Sequence, residues 1–543
     1  MIKEKLRIAI FAPFSLIQYH QLTEYRVAAA LKKEGCEVEF VTCNSGLPGF
    51  CTVMESLREN ATIDSIRKKE ICSSCERRSD MVTGRLKSER ISFYENLNQA
   101  RQSIELLSSY NEELQNKMFL DVNVGRLALY ETLLKFKKTN TNLSKEQQFY
   151  FLQTLNNALV TASSTDRYLS NRKIDKVILY SPQYAVPGTF AAIAEKFGIE
   201  CFFMEGSSNF LERYSHIRIW RWKAFGLRQP AMDSLDRFSS YSVDTAAKKR
   251  AINQIKSMEK AGSFSVYSSK SKGLKTSDYF EVKGFEKIVL LSMSSYDEVY
   301  SAVLLGRFPR EKLDSEVFKN QYEWLEKTIN WFSSKPNVAL IVRPHPRDFP
   351  NSREDRFAEH INDWEVVLEN LPSNVFIDAP TNNFSIYDHF KEVDLVLTGW
   401  SFTGIEALFR GIPVVSYDER LPSFPATIHS TGSSQESYFH NITVALTSST
   451  QDTSRELAIK WLAYLLDVGT IKIGGPVEYG VGRHHPNIIR RLLFLRGVYR
   501  FYNSFTMFIL FRSKPRKQSR KLLYGFLTSD AKSLFEYDKE PKF

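Results

Sequence analysis

No run of eighteen uncharged apolar residues occurs in the 543-residue chain, so the sequence offers no membrane-spanning helix. It does not open on a secretion signal either. MIKEKLRIAIFAPFS places Lys, Glu and Arg ahead of a short apolar run and reads as a first β-strand. Cysteine is scarce, at six, and without a signal the thiols are expected to be reduced, in a cytoplasmic protein. Asp-x-Asp, a common seat for a metal-bound diphosphate, never occurs. No internal repeat and no RNA-binding motif is present. Acidic residues are missing from one long stretch: Arg483–Lys521 holds eleven Lys/Arg and no Asp/Glu. That stretch accounts for the whole net charge of +11, so the body of the chain is formally neutral and not a polybasic nucleic-acid binder.

In the same stretch the cations alternate with large apolar residues, among them Leu492, Phe494, Val498, Tyr499, Phe501 and Phe508. The pattern suits an anionic cytoplasmic membrane surface, where each nearby cation contributes about 1 kcal/mol. It equally suits a terminal helix packed on the body with a solvated basic face.

With 43% apolar residues, the chain can build two or three packed domains. Strand Arg7–Pro13, helix Tyr19–Lys33 and strand Glu37–Cys43 form a β-α-β start. A polar, helix-patterned insertion runs over about 60–168, and strand–helix–strand returns at Lys176–Tyr180, Thr189–Phe197 and Glu200–Met204. These define a Rossmann-like domain over 1–262. Residues 263–284, rich in Ser, Lys and Gly, read as a linker. A second Rossmann-like domain, 285–475, alternates strands Lys287–Leu291, Val338–Val342, Val375–Ile377, Leu395–Leu397 and Pro413–Tyr417 with helices. Residues 476–543 form the basic, aromatic C-terminal helical segment. The fold class is α/β, with parallel sheets covered on both faces.

Sites in such sheets lie at the carboxyl ends of strands, where strand order switches. Arg343-Pro344-His345-Pro346-Arg347 ends one strand. Its two prolines stiffen the turn, His345 supplies a donor, and Arg343 and Arg347 offer forked donors that match phosphate oxygens. A tight turn with its arginines in ion pairs is the plainer alternative. Thr398-Gly399-Trp400-Ser401-Phe402-Thr403-Gly404 leads into a helix, where hydroxyls and backbone N–H groups make an anion seat. Ser401 or Thr403 serves there either as a donor or as a helix cap. Glu406 suits ribose hydroxyls or the helix dipole. Ser294 and Ser295, after the first strand of this domain, suit a donor's phosphate or sugar, and Asp297 and Glu298 suit sugar hydroxyls or the next helix start.

These two units, Val338–Asp348 and Val393–Asp418, resemble the donor domain of bacterial capsule polysaccharide biosynthesis glycosyltransferases of GT-B architecture, a Kdo-transferase-like, His-Pro-containing group. The resemblance covers about Lys287–Tyr417 well and the N-terminal half only in outline. It implies two doubly wound domains facing a cleft and a nucleotide-sugar donor held without catalytic metal. It implies further that His345, Pro346, Ser401 and Thr403 meet the phosphate and Glu406 the nucleotide, beside Arg343, Arg347 and Gly404. In that architecture the final helix often returns to the N-terminal domain.

An inverting transferase needs a base from the N-terminal domain. Glu205, at a strand end beside Gly206-Ser207-Ser208, is the preferred candidate, and His20 and Glu24 are weaker ones that suit an acceptor. The implied acceptor is a capsular or lipopolysaccharide-type polysaccharide or its lipid-linked primer. A nucleotide-sugar epimerase of the same fold and a non-catalytic polysaccharide-assembly scaffold are the alternatives. Finally, Cys43, Cys51, Cys72 and Cys75, spaced C-x7-C-x20-C-x2-C, are either a structural zinc site or ordinary reduced thiols, with Cys36 and Cys201 as core residues.

Overall fold

The computed structural model describes residues 5–86, 89–92, 105–207, 212–213, 215–221, 229–260, 271–310, 313–351, 355–361, 370–382, 384–422, 424–447, 452–475 and 515–537. The chain divides into two compact units. The first comprises Met1–Thr132, Asn142–Phe225 and Gly469–Phe543; the second comprises Leu133–Thr141 and Gly226–Val468.

The first unit is built on strands β1 (Arg7–Phe11), β2 (Glu37–Thr42), β3 (Glu89–Ser92), β6 (Lys176–Tyr180), β7 (Glu200–Gly206), β8 (His216–Arg221) and β15 (Ile471–Lys472), with a small hairpin of β4 (Met118–Phe119) and β5 (Val122–Asn123). The sheet order is β15-β8-β7-β6-β1-β2-β3. Strands β7 through β3 run parallel, and β8 and β15 add antiparallel edges. Strand order reverses between β1 and β6, which makes their carboxyl ends the switch point. The 60–168 region is helical at Ser65–Leu86, Val124–Phe136 and Lys145–Ser170. Ser144 and Gln147 form a capping box on the last of these. The insertion is not wholly helical, however: β3 pairs in parallel with β2.

The second unit carries β9 (Lys287–Ser292), β10 (Val338–Arg343), β11 (Val375–Ile377), β12 (Leu395–Thr398), β13 (Val414–Ser416) and β14 (Ser430–Thr431), in the order β11-β10-β9-β12-β13-β14, all parallel. KIVLLS and VALIVR are buried almost end to end because helices cover both faces. Trp324 and Tyr438 lie fully buried beneath one face, joined by an Nε1–H to hydroxyl bond of 2.8 Å. The switch point falls between β9 and β12.

The expectation of two Rossmann-like, doubly wound units is therefore met, with corrections to individual elements. The sequence pattern predicts a helix over Ser315–Phe332, but it begins only at Gln321, capped by the Asn320 side chain. The pattern predicts a further helix over Asp355–Leu368, but residues 355–360 are not helical, and 362–369 lie outside the described residues. The sequence reading put the crossing between units at 263–284, but helix Thr245–Lys260 already belongs to the second unit. It is tied there to helix Asp452–Asp467 by Lys248–Glu456 and Arg250–Asp467 ion pairs. The chain returns to the first unit at Gly469. Helix Lys517–Leu527 then buries Leu523, Phe526 and Leu527 in that unit's core beside Ile8, Ile10 and Phe202. That part of the C-terminal segment is a packed helix; 476–514, with half of the segment's cations, lies outside the described residues. Among the described residues no helix is long and apolar enough to cross a membrane.

Candidate functional site

At the second unit's switch point, Ser294 is fixed by a two-way clamp. Its N–H donates to Gln321 Oε1 at 2.8 Å, and its carbonyl accepts from Gln321 Nε2 at 3.1 Å. Ser295 stands at the N-cap position of helix Tyr296–Leu304 without a side-chain capping bond, and its hydroxyl donates to Glu298. Across the switch, Ser292 Oγ donates to Thr403 Oγ1 at 3.3 Å, and Ser401 Oγ donates to the same oxygen at 2.9 Å. Ser292, Ser401 and Thr403 thus form one connected set of hydroxyls between the ends of β9 and β12, which the hydroxyls of Ser294 and Ser295 do not join. The cap of helix Thr403–Phe409 is Phe402, whose side chain makes no capping bond. At seven residues that helix contributes little dipole.

Gly404 has a packing reason. A Cβ there would lie 2.7 Å from Phe424 Cζ and 3.2 Å from Thr398 Cγ2. Glu406 is buried and accepts from the Tyr387 hydroxyl at 3.4 Å.

The Arg343–Arg347 loop turns out differently from the cationic cluster the sequence suggests. Arg343 is buried in an ion pair with Asp378, and its Nη2 donates to Phe384 O at 3.0 Å. Arg347, also buried, donates through Nε to Asp297 Oδ2 at 2.9 Å and through Nη2 to Leu134 O at 2.8 Å. Both forks are engaged by carboxylates and carbonyls of the fold itself. Pro346 begins a short 3-10 turn, Pro346–Asp348, capped by His345. His345 Nδ1 accepts the Arg347 backbone N–H at 3.2 Å, so the neutral ring carries its proton on Nε2. Burial lowers the His345 pKa, with Arg347 and Arg343 adding to the effect against Asp348 and Glu298; the ring is neutral at pH 7.

Around this loop, buried polar atoms gather without hydrogen-bond partners among the described residues: Ser294 Oγ, Asp297 Oδ1, Asp348 Oδ2, Thr398 Oγ1 and Trp400 Nε1. Asp297 and Asp348 are fully buried, and His360 Nε2 stands 3.3 Å from Asp348 Oδ1. Burial pushes the Asp297 carboxyl up to about 7 despite Arg347, with Glu298 and Asp348 adding to the rise. Tyr296 joins the group by ring contacts with Trp400 and His360, each 6.4 Å between centroids. Desolvated donors and acceptors of this kind cost about 1–3 kcal/mol each unless something pairs with them. Asp348, His360, Tyr296 and Trp400 were not singled out from the sequence. Asp348, Tyr296 and Trp400 at least follow strand ends closely, whereas His360 stands well away from both β10 and β11 and carried no signal.

In the first unit, His20 lies at the switch point, its ring stacked on Tyr180 at 4.1 Å. Burial first, and Arg213 second, lower its pKa to about 4, so it is neutral. Glu24, one turn along the same helix, is buried, and burial alone raises its pKa to about 8. Glu205 lies within β7, opposite Arg218 of β8, with Oε2 3.2 Å from Nη2. Its pKa is raised by burial, which Arg218 and Arg213 oppose. Glu131 was overlooked in the sequence. It accepts the N–H of Ala185 at a helix start at 3.0 Å, and burial lifts it to about 7. Arg213, Arg218 and Tyr180 were likewise missed, because only the sheet brings them to His20 and Glu205.

No protein-family model matches the chain, and no curated protein matches it. Among solved structures it is similar to the β-Kdo 2,4 transferase KpsC of Thermosulfurimonas dismutans, at 14% identity over 54% of this chain and 79% of that one, with TM-score 0.34. It is also similar to a Methanocaldococcus jannaschii UDP-GlcNAc 2-epimerase in complex with UDP-GlcNAc and UDP, at 13% identity, 85% and 100% coverage and TM-score 0.29. A third is a glycotransferase of kitacinnamycin, at 12% identity, 85% and 95% coverage and TM-score 0.25. Likeness at this level says nothing of this chain's activity.

Proposed function

We propose that the protein is a metal-independent, nucleotide-sugar-dependent glycosyltransferase of GT-B architecture acting on a polysaccharide or lipid-linked acceptor. The observation that carries this reading is the set of buried, unpartnered polar atoms at the second sheet's switch point, beside hydroxyls linked across β9 and β12. Carboxylates such as Asp297 and Glu406 suit sugar or ribose hydroxyls, and Tyr296 and Trp400 offer flat apolar faces. With both arginines engaged internally, the leaving phosphate falls to His345 Nε2–H and the serine hydroxyls, and the arginines position the loop instead. In the first unit, burial lifts the Glu24 carboxyl to about 8 and that of Glu131 to about 7, the range a general base requires, and raises Glu205 against the pull of Arg218 and Arg213.

The same lifted carboxyls favour a second reading, epimerisation of a free nucleotide sugar, which also needs proton transfer near neutrality. Turnover of a nucleotide sugar without acceptor would select it. The basic segment after Arg483 suits a peripheral position on the inner face of the plasma membrane, close to a lipid-linked acceptor.

The test is a thermal-shift screen against CMP, CDP, UDP, GDP and their sugars. A ligand at a hundredfold its Kd should add about 2.7 kcal/mol. No shift with any of them at millimolar concentration would leave the scaffold alternative standing instead.

A further inference from the structure

Cys43, Cys51, Cys72 and Cys75 are free thiols, and among the described residues no three Cys, His, Asp or Glu side chains form a group that could hold a metal ion. A groove opens in the same region of the first unit. Helix Ser65–Leu86, the turn after helix Thr52–Ser56 and the turn between β1 and helix Gln18–Lys33 contribute to it. It holds about 600 Å³, a size ordinary for small-molecule sites. Its apolar lining is Leu16, Leu57, Ile66 and Ile71. Ile71 is buried, but Leu57 is 46% and Ile66 74% exposed, the latter more than any other large apolar residue described. Single exposed apolar side chains are ordinary; two that line one groove with an apolar floor call for a partner.

The walls of the groove are fixed. After helix Thr52–Ser56 the chain turns through Arg58 at φ +65°, a left-handed conformation that non-glycine residues seldom adopt. Arg58 N–H donates to Glu55 O at 2.9 Å and Glu59 N–H to Met54 O at 3.1 Å, which holds Leu57 at the rim. Arg67 Nε donates to Glu59 Oε1 at 2.8 Å and staples that turn to helix Ser65–Leu86. The same guanidinium pairs with Glu70 at 3.2 Å, so both carboxylates are answered. On the helix, Lys69, Ser73 and Arg77 recur at four-residue intervals and form one stripe along the groove. Arg77 Nη2 donates to Ser74 Oγ at 2.9 Å, and neither Lys69 nor Arg77 has an ion-pair partner among the described residues. Two uncompensated cations with hydroxyls between them thus stand beside an apolar floor. That pairing fits an amphiphile whose anionic group joins directly to a hydrocarbon chain.

The groove lies beside the first sheet's switch point. Leu16 immediately precedes the helix that carries His20 and Glu24. Gln21 of that helix is tied to the groove's own helix: Arg78 Nε donates to Gln21 Oε1 at 2.8 Å, and Gln21 Nε2 donates to Arg78 O at 3.2 Å.

We propose that this groove seats the lipid phosphate of the acceptor: the first carbons of its chain lie against Leu57, Ile66 and Ile71, and the phosphate meets Lys69 and Arg77. The proposal rests on the reading of the protein as a transferase to a lipid-linked acceptor, and it names the part of that acceptor which the first unit holds. No bond is made or broken in the groove, which anchors the acceptor beside the switch point.

Full-length protein is titrated with farnesyl phosphate below its aggregation concentration, with farnesol and with inorganic phosphate. The double variants Leu57→Ser/Ile66→Ser and Lys69→Gln/Arg77→Gln, all at exposed or groove-lining positions, are titrated beside it. Farnesyl phosphate is expected to bind and raise the thermal midpoint, and neither half of the ligand to do so at the same concentration. Each double variant should weaken binding by about tenfold or more while melting like the free wild type. Absence of binding, equal binding by wild type and variants, or farnesol bound as tightly as farnesyl phosphate overturns the proposal, whatever nucleotides do. Farnesyl phosphate bound through the groove while no nucleotide sugar binds the same sample upholds the lipid-phosphate site and removes the transferase reading. Sedimentation of the free proteins closes the remaining route: a wild-type dimer that Leu57→Ser/Ile66→Ser dissociates makes the groove an interface between copies, and the proposal falls.

Discussion

Arg343 and Asp378 form a buried ion pair across the carboxyl ends of neighbouring strands β10 and β11, and His389 Nε2 stands 2.9 Å from the same carboxylate oxygen. The Arg343 side chain is 6% exposed and that of Asp378 fully enclosed, so removing one partner strands a charge. Arg343→Ala should lower unfolding free energy by about 3–5 kcal/mol, read from urea transitions. A change within experimental error would mean that the arginine serves a ligand instead of the fold.

His345 has the opposite expectation, because its ring is half-buried and its Nδ1 is already used inside the loop. His345→Ala should cut turnover by about 100-fold while leaving the thermal midpoint within a few degrees. His345→Gln, which keeps a donor near the Nε2 position, should recover part of the rate. Unchanged turnover in His345→Ala would remove this loop from the reaction.

Stability should depend on pH in a way that betrays Glu24. Its folded pKa, about 8, lies above the ordinary 4.5, so between those values the folded state holds a proton that the unfolded state has lost. Stability therefore falls as pH rises through that window, by up to about 1.4 kcal/mol per pH unit. His20, lowered to about 4, acts in the other direction, but only below its ordinary 6.5. Urea midpoints between pH 6.5 and 8 should thus decline in the wild type and decline less in Glu24→Gln. Glu131 and Asp297, each lifted to about 7, should leave a residual slope near the lower end of that range. Equal slopes in both proteins would contradict a Glu24 carboxyl raised by burial.

Gly404→Ala should cost about 1–3 kcal/mol, because its new Cβ meets Phe424 Cζ at 2.7 Å and Thr398 Cγ2 at 3.2 Å. The combination Gly404→Ala with Phe424→Leu should restore part of the loss. If the single variant is as stable as the wild type but fails to bind nucleotide, the glycine serves the ligand directly.

For the basic segment, truncation after Pro486 is the wrong test, since it deletes Leu523, Phe526 and Leu527 from the first unit's core. Changing Arg490, Arg491, Arg496 and Arg500 to Gln spares that helix. Sedimentation with anionic liposomes should weaken by about 1 kcal/mol per cation removed, and binding to neutral liposomes should not change. Identical sedimentation of the two proteins would rule out the membrane-surface reading.

The sequence by itself determined that there are two doubly wound units and which strand ends matter. Runs such as KIVLLS and VALIVR must be buried on both faces, and periodicity and apolar content are local properties. It also placed Ser294, Ser401, Thr403 and Glu406 after strand ends, which is a local property of the chain. Tertiary structure alone decided what the charges do. Nothing near Arg343 or Arg347 in the chain announces Asp378, thirty-five residues on, or Asp297, fifty residues back. A guanidinium in a strand-end loop reads the same from sequence whether it faces a ligand or an internal carboxylate. Only burial and distance separate the two, which is why the arginines passed from ligand donors to parts of the frame. The helix Lys517–Leu527 makes the same point. Its sequence suited a membrane surface and a packed terminal helix equally, and only the packing of Leu523 and Phe526 against strands about five hundred residues earlier makes it core.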